Sequence, residues 1–320
     1  MSTVLSPSVS YKPFRFPWAV HTAVEHEKIH WGEWEAKLQE DVNQWKNGSL
    51  SSVEKNHITQ ILRLFTQSDV EVASNYINCF LPRFKNNEVR AMLISFASRE
   101  FVHQRAYALL NDTLGLDEHE YFAFLEYEDM KQKIEFMKAD LENPTDKHTT
   151  AKALAQSACN EGMSLFSAFV MLLNYQRFGK MKGMCEIVEW SIRDETVHVE
   201  GMTKLFQEFL HNYRSEIDTK QLYKDIQDMF REAVSLEDKI IDLSYNMGET
   251  EGLTKDSVKQ YIRYIANRRL ASLGIEPIFE VQKNPIDWLD WVISGDSFKN
   301  FFEGTVTDYN ADGMMGEWGW

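Results

Sequence analysis

Arg90-Ala-Met-Leu-Ile-Ser-Phe-Ala-Ser-Arg-Glu100-Phe-Val-His103-Gln-Arg-Ala-Tyr107-Ala-Leu-Leu-Asn111 is the stretch from which the rest of the chain can be read. Apolar residues fall on nearly every side of it, as in a buried helix, yet Glu100, His103 and Tyr107 recur at steps of three and four. They therefore project from one face, one above the next. A buried carboxylate is protonated, ion-paired or metal-bound, because burying it unpaired is costly. The helix thus predicts a partner elsewhere in the sequence.

A second Glu-x-x-His lies downstream in Trp190-Ser-Ile-Arg-Asp-Glu195-Thr-Val-His198-Val-Glu200. The spacing alone is weak, since it recurs at Glu27/His30, Glu54/His57 and Glu208/His211. Context separates the pairs. Glu54 sits in the capping box opened by Ser51, Glu27 lies among Glu25, His26 and Lys28, and Glu208 is near a helix end, so these three pairs are expected in solvent.

Two isolated acids complete the pattern. Asp69 lies deep in a helix through Ile58, Leu62, Phe65 and Tyr76, and is expected to point inward in preference to Glu71. Glu161 is the only charge in Ser157-Ala-Cys-Asn-Glu-Gly-Met-Ser-Leu-Phe-Ser-Ala-Phe169. Two Glu-x-x-His helices and two further acids are the ligand set of a ferritin-like dinuclear site. The alternative for any one of the six is a satisfied buried ion pair. Oxygen-rich ligation with two imidazoles suits iron or manganese.

Composition is consistent with this reading. The chain has 320 residues, 43% hydrophobic and 26% charged, enough for a well-filled core. A formal charge of −15 argues against nucleic-acid or anionic-membrane partners. Cys79, Cys159 and Cys185 form neither a disulfide framework nor a thiolate zinc motif, which favours a reduced cytoplasm. No signal-peptide core and no apolar run of membrane-spanning length occurs.

Residues 1–18, with Pro7, Pro13 and Pro17, are expected to form an extended arm, and residues 19–290 an all-α helical domain. Helices are expected over 117–139, 151–178 with Gly179 as the stop, 181–213, 219–246 and 254–273. No strand-period segment, GxGxxG or P-loop competes with this all-α reading. Residues 291–320 alternate glycines and acids with large aromatics. They read either as a partner-docking motif or as a frayed terminus.

In identity and order, Asp69, Glu100-x-x-His103-x-x-x-Tyr107, Glu161-Gly-x-x-x-Phe166 and Arg193-Asp194-Glu195-x-x-His198 resemble the radical-generating small subunit of class I ribonucleotide reductase. The resemblance implies a ferritin-like bundle holding two iron ions per chain, or manganese, or one of each. The centre would activate oxygen and oxidise Tyr107 to a stored tyrosyl radical, shielded by Phe166 and Phe169. It further implies a relay through Trp31, Asp194 and His103 to Tyr309, with Glu303 assisting proton movement. The tail would dock on a large subunit that reduces ribonucleoside diphosphates to deoxyribonucleotides. A homodimer is expected, and an activating flavoprotein is left open, as is the choice between Trp31 and Trp34 as the relay indole. Ser164 and Leu165, where many members carry aromatics, and the ending Glu317-Trp-Gly-Trp320 depart from the family pattern. A same-fold oxidase acting on a bound small molecule and an iron-storage protein are the rival readings.

Overall fold

The computed structural model describes residues 3–139, 141 and 144–292. Its helices in order are α1 (Pro17–Lys28), α2 (Gln39–Lys46), α3 (Ser52–Ser74), the short turn α4 (Leu81–Arg83), α5 (Asn87–Leu114), α6 (Glu128–Ala139), α7 (Lys147–Cys159), α8 (Phe166–Leu173), α9 (Lys182–Tyr213), α10 (Thr219–Ser244), α11 (Lys255–Ser272) and α12 (Asp287–Val292). An isolated bridge between Thr250 and Leu253 is the sole β pairing among the described residues. No described helix is long and apolar enough to cross a membrane.

Local chemistry sets the ends. Ser51 and Glu54 form a reciprocal capping box on α3, with Ser51 N donating to Glu54 Oε2 at 2.8 Å and Glu54 N to Ser51 Oγ at 3.2 Å. Asn86 caps α5, which stops at Gly115 in the left-handed region (φ 75°). Helix α9 has no cap of its own. Asp41 of α2 supplies one, accepting from the backbone N–H of Gly183 and Met184 at 3.1 and 2.7 Å.

Helix α3 packs along α5, and α7 along α9, with α5 also against α9. Helix α8 is buried along its whole length and lies beside α9 and α11. Two of the core helices end in π-helical turns, Asn75–Phe80 after α3 and Asn160–Ser164 after α7. The opening asparagines of both, Asn75 and Asn160, donate to the Met137 carbonyl at the end of α6, at 3.3 and 2.9 Å.

Three expectations are corrected here. Residues 117–139 are not one helix: tight turns at Glu118–Tyr121 and Ala123–Leu125 precede α6. The segment 151–178 is interrupted by the π turn at Glu161, and its last turn, Asn174–Phe178, is 3₁₀ before Gly179 (φ 68°). Helix α5 is not buried all round. Ala91, Ile94, Ser98, Phe101 and Arg105 are exposed in a stripe with steps of three and four.

Candidate metal centre

Four core elements converge on one point: Asp69 from α3, Glu100 and His103 from α5, Glu161 from the π turn after α7, and Glu195 and His198 from α9. All six are buried to 1% exposure or less. They form two overlapping groups, Asp69/Glu100/His103/Glu195 and Glu100/Glu161/Glu195/His198, whose ligand atoms lie within 4.8 Å of one another. Glu100 and Glu195 belong to both. Each imidazole turns Nδ1 inward: His103 Nδ1 is 3.4 Å from Glu100 and Glu195, and His198 Nδ1 is 3.0 Å from Glu100 and Glu161 and 3.4 Å from Glu195.

The donor set fits a pair of divalent cations. Asp69 Oδ2 is sealed from solvent without a hydrogen-bond partner, and the equally sealed oxygens of Glu100 and Glu195 meet no donor apart from the two imidazole nitrogens. Buried oxygens in that state are costly unless a cation completes them. Burial, with Glu100, Glu195 and Glu161 nearby, raises Asp69 well above the usual carboxylate range, although His103 opposes the shift. Burial likewise lifts Glu161 to about 7 against the pull of His198. Burial disfavours charge on His103 and His198, yet the surrounding carboxylates outweigh it and push both rings upward. Four carboxylates and two imidazoles are the ligands hard divalent metals take.

Tyr107 is wholly buried one turn beyond His103, and its hydroxyl donates to Ser191 Oγ at 3.0 Å. The ring that meets it edge-on is Phe65, at a centroid distance of 4.4 Å. Phe169 packs on Phe65 at 5.2 Å and Phe166 on Phe169 at 5.2 Å, and Phe65, which the sequence reading did not single out, is in direct ring contact with Tyr107. Trp31 is 2% exposed and donates Nε1–H to Asp194 Oδ2 at 2.7 Å, whereas Trp34 is 71% exposed. The same Asp194 oxygen lies 3.1 Å from His103 Nε2.

Comparison with known proteins follows the same lines. Residues 8–285 match the family model described as "Ribonucleotide reductase, small chain". The chain belongs to that family. The probable ribonucleoside-diphosphate reductase small subunit of Invertebrate iridescent virus 3 is 40% identical, over 99% of this chain and 88% of the viral one. The ribonucleoside-diphosphate reductase subunit beta of Chlamydia pneumoniae is 29% identical, over 95% and 90%. Among solved structures, the ribonucleotide reductase R2 subunit from Clostridium botulinum superposes with TM-score 0.80 at 25% identity, covering 87% of this chain and 89% of that one. The dimanganese(II)-NrdF of Streptococcus sanguinis shares the fold, with TM-score 0.77 at 19% identity, over 90% and 99%.

As a ribonucleotide reductase small chain, the molecule is an all-α, ferritin-like oxidoreductase subunit with a buried cluster able to hold metal. Several residues at its centre escaped the sequence reading. Arg99 Nη1 reaches both Asp194 oxygens at 3.2 and 3.3 Å. The Tyr76 hydroxyl lies 2.8 and 2.7 Å from the Glu161 oxygens, and Ser157 donates to Glu161 Oε1 at 2.8 Å. His26, expected in a solvated charged run, is buried with its Nε2 3.1 Å from His198 Nε2. Burial and the neighbouring His198 lower its basicity to about 2.

A signal for His26 was present. Ala19, Ala23 and His26 form the buried face of α1 at steps of four and three, but the charges around His26 obscured it. Tyr76 likewise lies two turns after Asp69 on the same face. His57, also expected in solvent, is fully buried with Nδ1 3.0 Å from the Tyr175 hydroxyl, and burial lowers its pKa to about 3. Tyr309, Glu303 and the rest of 293–320 lie outside the described residues.

Proposed function

We propose that this chain generates and stores the oxidant of a class I ribonucleotide reductase. The family implies a large-subunit partner, which in this reading reduces ribonucleoside diphosphates to the deoxyribonucleotides of DNA replication. The observation that carries the proposal is the convergence of Asp69, Glu100, His103, Glu161, Glu195 and His198 on one point, with the buried phenol Tyr107 one turn beyond His103 on the same helix face. Two metal ions bound there, iron in our reading, supply the one-electron oxidising capacity drawn from oxygen.

The chain's own residues do the rest. Glu100 and Glu195, common to both groups, would be shared between two ions, while Asp69 and His103 would serve one and Glu161 and His198 the other. Burial raises the Tyr107 hydroxyl well above its ordinary pKa, with Asp69 adding to it against the Ser191 bond, so Tyr107 waits as a neutral phenol. Phe65 and Phe169 keep water and reductants from its ring. Asp194 joins the Trp31 indole to the His103 imidazole, a hydrogen-bonded path leading out of the site. Burial of Trp31, against the exposure of Trp34, supports Trp31 as the relay indole.

Beyond the described residues the proposal assigns Tyr309 as the next stop, Glu303 as its proton partner and the tail 291–320 as the docking element. A homodimer fits the exposed stripe of α5, and the free, buried cysteines suit the cytoplasm.

The test is electron paramagnetic resonance after ferrous iron and oxygen are added to the metal-free protein. Wild type is expected to show a phenoxyl signal. Tyr107→Phe should bind the same metal, show no such signal and lose deoxyribonucleotide formation with the large subunit. A fully active Tyr107→Phe protein would refute the assignment.

A further inference from the structure

The two imidazoles of the centre face outward to different neighbours. His103 Nε2 meets a carboxylate, Asp194, at 3.1 Å. His198 Nε2 meets a second imidazole, His26 Nε2, at 3.1 Å, with the two rings edge-on at 69°. His26 Nδ1 in turn lies 2.8 Å from Ser95 Oγ. Phe96 packs against both rings, at 5.3 Å from His26 and 4.5 Å from His198. Gly201 leaves it room, since a Cβ there would fall 2.7 Å from the Phe96 ring.

Hydrogen-bond accounting restricts the proton positions. A metal on His198 Nδ1 requires the remaining ring proton on Nε2, which must then donate. His26 Nε2 must accept it, so His26 carries its own proton on Nδ1 and donates to Ser95. With the proton on His198 Nε2, a His26 protonated at Nε2 would set two N–H groups against each other across 3.1 Å.

We infer that His26 is a positioning residue that locks His198 in its metal-binding tautomer and leaves the ion held with Glu161 the more weakly bound of the two. The inference rests on the dinuclear reading above but not on the radical chemistry. An anionic acceptor strengthens a metal-bound imidazole more than a neutral one does, and outer partners of this kind alter metal affinity by about 10–100-fold. Glu161 points the same way. Tyr76 and Ser157 draw on its oxygens, whereas Asp69 Oδ2, at the other end, accepts no hydrogen bond.

The experiment is a manganese(II) titration of the metal-free full-length protein, with free ion read by electron paramagnetic resonance. Wild type should bind two ions in two affinity classes. His26→Phe should weaken the looser class by about 10–100-fold and leave the tighter one unchanged, and His26→Gln, whose amide oxygen can accept the same proton, should restore most of the loss. Two ions bound by His26→Phe with wild-type affinities would overturn the inference. Failure of wild type itself to bind two ions would instead sink the dinuclear reading. If His26→Phe does not fold, histidine ¹⁵N spectra of the zinc-loaded wild type decide the matter: His26 protonated at Nδ1 and bare at Nε2 is expected, and the reverse tautomer overturns it.

Discussion

Asp194 receives three partners at once, the Trp31 indole, the His103 imidazole and the Arg99 guanidinium, with no solvent access. Burial alone would raise its pKa, but His103 and Arg99 hold it below the usual carboxylate range. Substituting Asn keeps the shape and removes the charge, so Arg99 is left in the core without its counter-ion. Such uncompensated burial costs about 3–5 kcal/mol. Asp194→Asn should therefore lower the unfolding free energy of the metal-free protein by about that amount in a urea titration, and a loss under 1 kcal/mol would show that Arg99 finds another partner. In the sequence, Asp194 is assigned a role only through the family resemblance. Spacing says which residues share a helix face, but the partner from another helix, here Arg99, has no local signature.

At the scale of elements, the long helix α9 depends on a residue outside itself. Its first N–H groups are covered by Asp41 from α2, because Met181 stands at the entry in a left-handed conformation (φ 51°) and offers no side-chain cap. Asp41→Ala should cost about 1–2 kcal/mol, the range for losing such a cap, seen as a lower melting temperature with unchanged helix content. An unaltered melt would mean that water caps α9 equally well. The π turn at Asn160–Ser164 follows a related logic. It is anchored by Asn160 on Met137 O, by Lys133 Nζ on Ser164 O at 2.6 Å and by Arg269 Nε on Gly162 O at 2.9 Å. A Cβ at Gly162 would fall 2.7 Å from that Arg269 nitrogen. Periodicity at 3.6 residues runs straight through such a segment, and the extra residue appears only when distant side chains hold the backbone open.

For the whole molecule, the core gathers four carboxylates and two imidazoles that cations would engage only in the folded state. Metal binding only to the native state stabilises it by about 2.7 kcal/mol at a hundredfold excess over Kd, a shift of several degrees for a domain of this size. Calorimetry with and without chelator should show that rise, and coincident melts would argue against a native-state site. The outer face of α5 supplies a second expectation. Phe101 and Ile94, 46% and 51% exposed, lie in line with Ala91, Ser98 and Arg105, and Val24 is exposed on α1, which packs on α5. If the proposed homodimer uses this face, its large apolar side chains Ile94 and Phe101 are the ones it would bury. Phe101→Glu should convert a dimer to monomers in sedimentation with helix content preserved, whereas a persistent dimer would place the interface elsewhere.

By itself the sequence determined the helical class, most helix ends, and the order in which acids, imidazoles and a phenol recur along one face, because those follow from a fixed turn of 3.6 residues and from local capping chemistry. Tertiary structure alone decided that Trp31 and not Trp34 is buried against Asp194, that His26 backs His198, that Phe65 covers Tyr107, and that α5 keeps one side open. Each of these is a contact between helices far apart in the chain, and burial of a single side chain depends on which neighbour arrives to cover it.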